Sequence, residues 1–224
     1  MHAPHLLILG ISWLDPTWLL QHFGTEFFWV SAIMIFVECG LFFPFLPGDT
    51  LLFAIGLFVA TDKLAPISGG RWTNLTLSLI VMGAAAFAGN VVGYEIGRLI
   101  GTPLAHHDGR ILKRKYFDKT HAFFETQGNK ALVIGRFVPF VRTYVTVVAG
   151  IAQMERHRFL TWSAVGAGLW MLTITLLGFS LGRTSFGHFL SKNIDIAVLG
   201  ITAISLIPVA IEWQRRRRAA SVVD

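Results

Sequence analysis

The hydrophobic residues of this chain are grouped in long runs, and three of these runs are long enough to cross a lipid bilayer. They lie near residues 75–100, 159–181 and 194–213. One helical crossing needs about 20 consecutive apolar residues. The pattern therefore predicts an all-α polytopic membrane protein in which each of these runs is a transmembrane helix.

Two further apolar segments, residues 28–60 and 131–150, are interrupted by helix-breaking residues. Proline removes a backbone donor from a helix, and broken backbone at membrane depth is tolerated only where protein or a watery cavity receives the unpaired groups. Each segment is therefore predicted to be a re-entrant helical hairpin that dips into the membrane and returns to its own side. The predicted break positions are Pro44, Pro47, Gly48 and Pro139.

Composition agrees with a membrane protein. The 224 residues are 54% hydrophobic and 14% charged, and their mean hydropathy is +0.60. A net charge of +6 would suggest nucleic acid as a partner of a soluble protein, but the basic residues here lie between the apolar runs and in the tail Arg215–Arg218. Such a distribution indicates membrane orientation and contact with anionic lipids, and no nucleic-acid partner is expected.

The basic residues also predict the topology. They crowd the loop at residues 102–130, follow the second hairpin at Arg156 and Arg158, and end the chain in a basic tail at residues 214–224. All of these segments should be cytoplasmic, because loops rich in lysine and arginine stay on that side. We expect an amphipathic linker at residues 102–130, and an interfacial helix at residues 1–26, where Asp15 and Pro16 interrupt the apolar pattern.

The chain contains an internal repeat. The break at residues 44–50 is echoed at residues 139–143, and a Gly-aromatic-x-aliphatic-Gly-Arg motif at residues 93–98 recurs at residues 178–183. Each half, residues 27–101 and 131–183, is therefore predicted to be one hairpin followed by one crossing. Because a single crossing separates the hairpins, the halves should be inverted, and the segment at residues 184–213 is an additional C-terminal transmembrane helix.

The two predicted hairpins contain charges of opposite sign. The first contains Glu38 and Asp49, and the second contains Arg136 and Arg142. An ionisable group at bilayer depth costs roughly 2.5–3.5 kcal/mol on insertion scales, so a simple anchor would contain none. Guanidinium groups bind phosphate or carboxylate, and a carboxylate in apolar surroundings can take up a proton. We therefore predict Arg136 and Arg142 as substrate-binding residues and Glu38 and Asp49 as proton-coupling residues.

Several motifs in this order closely resemble the DedA family, also called VTT or SNARE-associated Golgi proteins. They are residues 38–56, Gly-Tyr-x-x-Gly-Arg at 93–98, Arg-Phe-x-Pro-x-x-Arg-Thr at 136–143 and Gly-Ala-x-x-Trp at 166–170. The resemblance implies a bacterial inner-membrane protein that moves undecaprenyl phosphate or a phospholipid, or performs proton-dependent transport under stress. It assigns function to the same four charged residues. The chain departs from the family at Asn90, where many members have an acidic residue, and at Ser163, where many have asparagine.

Other interpretations stay open from the sequence. Glu38 and Asp49 could be structural ion-pair partners, and the substrate could be a small solute or cation exchanged for protons. An enzyme is not expected, because no metalloprotease, nucleophile-elbow or nucleotide-binding motif is present. No cofactor or metal is expected, since the cluster His106, His107, Asp108 and His121 lacks ligand-type spacing. The Gly-x-x-x-Gly motifs permit close helix packing and a homodimer.

Overall fold

The computed structural model of the chain describes residues 16–41, 46, 48–106, 129–137 and 139–184. Within these residues every regular element is a helix, which confirms the predicted all-α class. The α-helices are α1 (Pro16–Phe23), α2 (Phe27–Leu41), α3 (Gly48–Ala60), α4 (Arg71–His106), α5 (Asn129–Ile134), α6 (Pro139–Ile151) and α7 (Arg156–Gly182). Single 3-10 turns at Gly24–Glu26 and Gly135–Phe137 precede α2 and α6.

Three described helical segments are long and apolar enough to cross a membrane: Pro16–Leu41, Arg71–Gly101 and Arg156–Gly182. The last two contain the runs predicted at residues 75–100 and 159–181. The first joins the described part of the predicted interfacial helix, residues 16–26, to the start of the predicted first hairpin, and the interfacial position of residues 1–26 stays a prediction. The turn at Gly24–Glu26 bends the chain through Gly24, whose φ is 52°, but it does not separate α1 from α2.

Some predicted segments lie outside the described residues. These are the breaks at Pro44 and Pro47, most of the linker at residues 102–130, and all but the first residue of the C-terminal segment at 184–213, with the tail at 214–224. The described part of the linker shows that α4 continues to His106 and that α5 begins at Asn129.

Helices α4 and α7 lie antiparallel. At one end the Trp72 ring lies 5.2 Å from the Phe179 ring, and at the other end the Tyr94 ring stacks on Phe159 at 4.0 Å. About 22 residues of α4 separate these two contacts, which corresponds to roughly 33 Å at 1.5 Å per residue. This length matches a hydrocarbon core of about 30 Å.

Exposed ion pairs lie at both ends of this helix pair. Arg71 Nε donates hydrogen bonds of 2.8 and 2.9 Å to the carboxylate oxygens of Asp62, and these bonds lower the pKa of Asp62. At the other end Arg156 donates to Glu95 at 3.0 Å. Because exposed charges require water, the apolar zone of the protein lies between these two pairs.

Helices α3 and α6 belong to different halves of the predicted repeat, and each packs chiefly on the long helix of the other half. Helix α3 packs on α7, and α6 packs on α4. Helices α3 and α6 each have 13 residues and are therefore about 20 Å long. Ala60, the last residue of α3, lies against Gly182, whereas Ile151, the last residue of α6, lies against Gly101. The two short helices therefore enter from opposite ends of the α4–α7 pair, and their amino termini point toward its middle.

The two short helices also end in the same way. Asp62 and Gln153, each two residues beyond the helix, have positive φ angles of 56° and 55°. The next N–H reaches back to the last turn in both cases, from Lys63 to the Phe58 carbonyl at 2.9 Å and from Met154 to the Ala149 carbonyl at 3.1 Å. This is the Schellman type of helix end, which here occurs twice.

Glycines allow α3 to pack closely on α7, and α6 to pack closely on α4. A Cβ at Gly178 would overlap the carbonyl oxygen of Phe53 on α3, and a Cβ at Gly97 would overlap that of Val147 on α6. Gly56 and Gly150 lie against the backbones of α7 and α4 in the same manner. The glycines of the two repeated motifs therefore bring helix backbones into contact.

The α6–α7 turn is held to α4 by Tyr94. Its hydroxyl donates a hydrogen bond to the Met154 carbonyl, and its ring is 1% exposed within a cluster that includes Leu132, Ala149 and Phe159. We expect Tyr94→Phe to lower the free energy of unfolding by about 1–3 kcal/mol, because it leaves a buried carbonyl without its partner. Thermal unfolding in detergent measures the loss.

Thr76→Ala is the matched control for this change. It removes another hydroxyl from α4, but this hydroxyl is exposed and, among the described residues, bonds only to the Trp72 carbonyl of its own helix. We expect almost no change in stability for this variant. If both variants unfolded at the same temperature, the assignment of Tyr94 as an anchor of the turn would be wrong.

Candidate functional site

Arg142 bridges two carboxylates from distant parts of the chain. One guanidinium nitrogen donates to Oδ1 of Asp49 and another donates to Oε1 of Glu38. The three side chains are largely removed from solvent, with exposed fractions of 9% for Arg142, 2% for Glu38 and 17% for Asp49. Helices α2, α3 and α6 therefore meet at one guanidinium group.

Local structure explains why these carboxylates can be held there. Asp49 lies in the first turn of α3, where the free N–H groups of a helix favour a negative charge. Glu38 lies in the last turn of α2, and its Oε2 lies against the backbone of Gly48. A methyl group at position 48 would overlap this oxygen. A side chain at position 48 would therefore displace the Glu38 carboxylate from its present position.

Trp170 of α7 completes this cluster. Its indole Nε1 donates to Oδ1 of Asp49 at 2.8 Å, and its ring centroid lies 4.7 Å from Cζ of Arg142. The side chain is 2% exposed. Trp170 therefore hydrogen-bonds the acid and also lies over the face of the guanidinium group, a geometry typical of a cation–π interaction.

Arg136 is placed differently from Arg142. It is 1% exposed, and its only hydrogen bond to a described residue runs to Oγ of Ser163 at 3.0 Å. Among the described residues, its Nε and the other terminal nitrogen have no partner and no carboxylate contacts it. Gly166 provides the space, because a Cβ there would lie 3.1 Å from Nε of Arg136. Arg136 thus has unused donors in a buried position.

The site lies halfway along α7. Trp170 is 14 residues from Arg156 and 13 from Arg183, so it is about 20 Å from either end. The ion pair of Arg156 and the contact of Arg183 with Trp72 mark those two ends. The Arg142 cluster therefore lies near the middle of the apolar zone.

Further buried polar atoms lack partners among the described residues. They are Oε2 of Glu38, Nδ2 of Asn90, Oγ1 of Thr146 and Oγ1 of Thr175. Asn90 and Thr175 occupy the same position in the two repeated motifs, three residues before Gly93 and Gly178. An unsatisfied buried group costs about 1–3 kcal/mol, so polar ligands or ordered water would be stabilised here.

The structure brings three of the four predicted charged residues into direct contact: Glu38, Asp49 and Arg142. Arg136 lies close enough to Arg142 for their charges to interact, but it bonds to Ser163 instead of an acid. Of the predicted break positions, Gly48 begins α3 and Pro139 begins α6.

Trp170 and Ser163 were not predicted as site residues. A signal was present, because Ser163, Gly166 and Trp170 are spaced by three and four residues and so share one face of a helix. That face meets both arginines. Within the described part of the chain, no group of three His, Cys, Asp or Glu side chains is placed to hold a metal ion.

Comparison with known proteins extends over nearly the whole chain. The family profile described as VTT domain matches residues 33–180. Protein DedA of Escherichia coli (strain K12) is 35% identical over 205 residues, which cover 91% of this chain and 89% of that protein. An uncharacterized membrane protein of Mycobacterium tuberculosis (strain ATCC 25618 / H37Rv) is 36% identical over 210 residues, covering 92% and 88%.

The inner membrane protein YqjA of Escherichia coli (strain K12) is 32% identical over 164 residues, which cover 70% of this chain and 68% of that protein. No solved structure matches the chain significantly.

Proposed function

This chain belongs to the DedA family of VTT-domain membrane proteins, and from this premise we propose that it is a transporter that moves a phosphate-bearing lipid between leaflets. The lipid class is undecaprenyl phosphate or a phospholipid, and proton uptake is linked to the movement. The proposed location is the bacterial inner membrane, as in the name of the Escherichia coli relative YqjA, with the C-terminus in the cytoplasm. The site binds without catalysis.

One observation supports this proposal above the others: a buried arginine at the site has unused donors. Arg136 is 1% exposed, yet two of its nitrogens have no partner among the described residues. A guanidinium group offers a planar fork of donors suited to phosphate. A phosphate bound here would supply the missing acceptors.

The arrangement of helices supports a two-fold inverted plan with two re-entrant hairpins. α3 and α6 enter from opposite ends, pack on each other's long helix and end in the same type of turn. At about 20 Å each, they reach only part of the way across a core of about 30 Å. Transporters built from inverted repeats place their site near the midplane, where discontinuous helices begin.

Charge balance suggests how a proton enters the cycle. The four buried charges, Glu38, Asp49, Arg136 and Arg142, sum to zero when all are ionised. A phosphate would add at least one negative charge to a poorly solvated site, which is unfavourable. Protonation of one carboxylate restores the balance and releases one edge of the Arg142 guanidinium toward the phosphate. Proton uptake and phosphate binding would therefore favour each other.

Liposomes that contain the purified protein and a polyprenyl phosphate provide the test. We expect Arg136→Ala to reduce movement of the headgroup across the bilayer at least tenfold, because a buried hydrogen bond to a charged group contributes about 1.5–3 kcal/mol. A headgroup-accessibility assay measures the rate. Arg156→Ala is the control, since it removes an exposed arginine from the end of the same bundle.

Equal rates for the unmodified protein and the Arg136→Ala variant would contradict the phosphate role. Proton flux that depends on Glu38 but occurs in liposomes without any lipid phosphate would favour the alternative, a proton-coupled transporter of a small solute or cation. Release of phosphate from a polyprenyl diphosphate by the purified protein would show an enzyme instead.

A further inference from the structure

The two carboxylates that share Arg142 have different surroundings. Asp49 accepts two hydrogen bonds at Oδ1, one from Arg142 and one from the indole of Trp170. Glu38 accepts one from Arg142 at Oε1, while its Oε2 has no hydrogen-bond partner among the described residues. Hydrogen bonds donated to a carboxylate favour its charged form. The contacts of Asp49 therefore favour its charge more than those of Glu38 do.

Trp170 is the side chain that makes this difference. It donates to Asp49 and lies over the guanidinium face of Arg142, so it holds these two residues in one fixed arrangement. It does neither for Glu38. Its own position is fixed by burial, since it is 2% exposed and lies at the centre of α7.

We infer that Trp170 is a positioning residue that keeps Asp49 as the permanent charged partner of Arg142, so that Glu38 is the carboxylate that gains and loses the proton. The inference deepens the proposed function, which leaves open which acid is protonated. The proton binds to Oε2 of Glu38, which lies beside the Gly48 backbone and has no side-chain hydrogen-bond partner within the described structure. Arg142 then remains paired with Asp49, and the guanidinium edge that faced Glu38 becomes available to an anion.

The other ionisable groups around these acids lie on α2, on α6 and in the turn Gly135–Phe137. Arg142 faces both acids from α6, and each acid faces the other across α2 and α3. Cys39 follows Glu38 on α2, and Arg136 lies close enough to interact with Arg142 and Cys39. Residues 42–45 and 47 contain no ionisable side chain. Trp170 is therefore the neutral donor that distinguishes the two acids.

Infrared difference spectroscopy of the reconstituted full-length protein tests the inference without any substrate. The carbonyl stretch of a protonated carboxyl group is recorded as the pH is lowered. As the pH falls, the unmodified protein should show a first buried carboxyl band. We expect this band to be absent from Glu38→Gln and present in Asp49→Asn. In Trp170→Phe, which keeps a ring over Arg142 but removes the N–H, we expect a second buried carboxyl band that Asp49→Asn removes.

Trp162→Phe is the matched control, because Trp162 lies on the same helix but packs in the cluster around Tyr94 and Phe159. It should titrate like the unmodified protein. The inference is overturned if Asp49→Asn removes the first band, or if Trp170→Phe titrates like Trp162→Phe. Should Trp170→Phe fail to fold, the comparison of Glu38→Gln with Asp49→Asn still decides which acid is protonated. Since no lipid is moved in this experiment, its result is independent of the transport assay.

Discussion

Arg142→Gln is expected to destabilise the protein by about 3–5 kcal/mol and to abolish lipid movement. The substitution leaves Glu38 and Asp49 buried next to each other with no cation between them, and removing one member of a buried charge network has this order of cost. Both acids are at most 17% exposed, so water cannot compensate for the loss. Thermal unfolding in detergent measures the stability, and the liposome assay measures the transport.

Two variants separate charge from geometry in this experiment. The triple variant Glu38→Gln, Asp49→Asn, Arg142→Gln removes all three charges, and we expect it to recover much of the lost stability without recovering transport. Arg142→Lys keeps the charge but cannot reach both acids with a planar fork, so it should be intermediate in stability. A stable Arg142→Gln protein would show that Arg142 does not hold the three helices together.

The second large effect is expected at Gly178, where α7 crosses α3. A Cβ at this position would overlap the Phe53 carbonyl oxygen, and both partners are helix backbone that cannot move independently. We expect Gly178→Ala to separate α3 from α7 and to cost about 1–3 kcal/mol, the usual range for overpacking. Asp49 lies in the first turn of α3, so the same displacement should also slow transport.

Gly168→Ala on the same helix is the matched control. Among the described residues no atom lies within 4 Å of a Cβ built at Gly168, so the expected effect is the better helix propensity of alanine, up to about 1 kcal/mol in favour of folding. The two variants should therefore change unfolding temperature in opposite directions. A Gly178→Ala protein as stable as Gly168→Ala would mean that α3 does not pack on α7 as described.

The Arg142 cluster could be predicted from the sequence because lipid makes unpaired charges so costly. Glu38 lies 104 residues from Arg142 and Asp49 lies 93 residues from it. These residues are far apart in the sequence, but each lies in a run of apolar residues. Acidic and basic side chains at membrane depth usually pair with each other. The long helices α4 and α7 could also be predicted, because the length and apolar composition of their runs are enough to identify a membrane-crossing helix.

Other features depend on contacts that no local pattern reveals. Each short helix packs on the long helix of the other half, α3 on α7 and α6 on α4, through close backbone contacts at glycines such as Gly56 and Gly150. A glycine allows close contact with almost any helix, so the sequence does not reveal which helix it contacts. The role of Trp170 depends on an indole N–H that meets an acid 121 residues away. The bend between α1 and α2 depends on the conformation of Gly24, which sequence alone leaves free.

The exchanged packing of α3 and α6 has a consequence for biosynthesis. When α3 leaves the ribosome, the α7 surface that will cover it has not yet been made, and about 100 residues must still be translated. Asp49 and Glu38 likewise have no arginine partner until Arg142 of α6 has been made. Completion of α7 then supplies the last packing partner of α3, so the described fold forms only after synthesis of the second half.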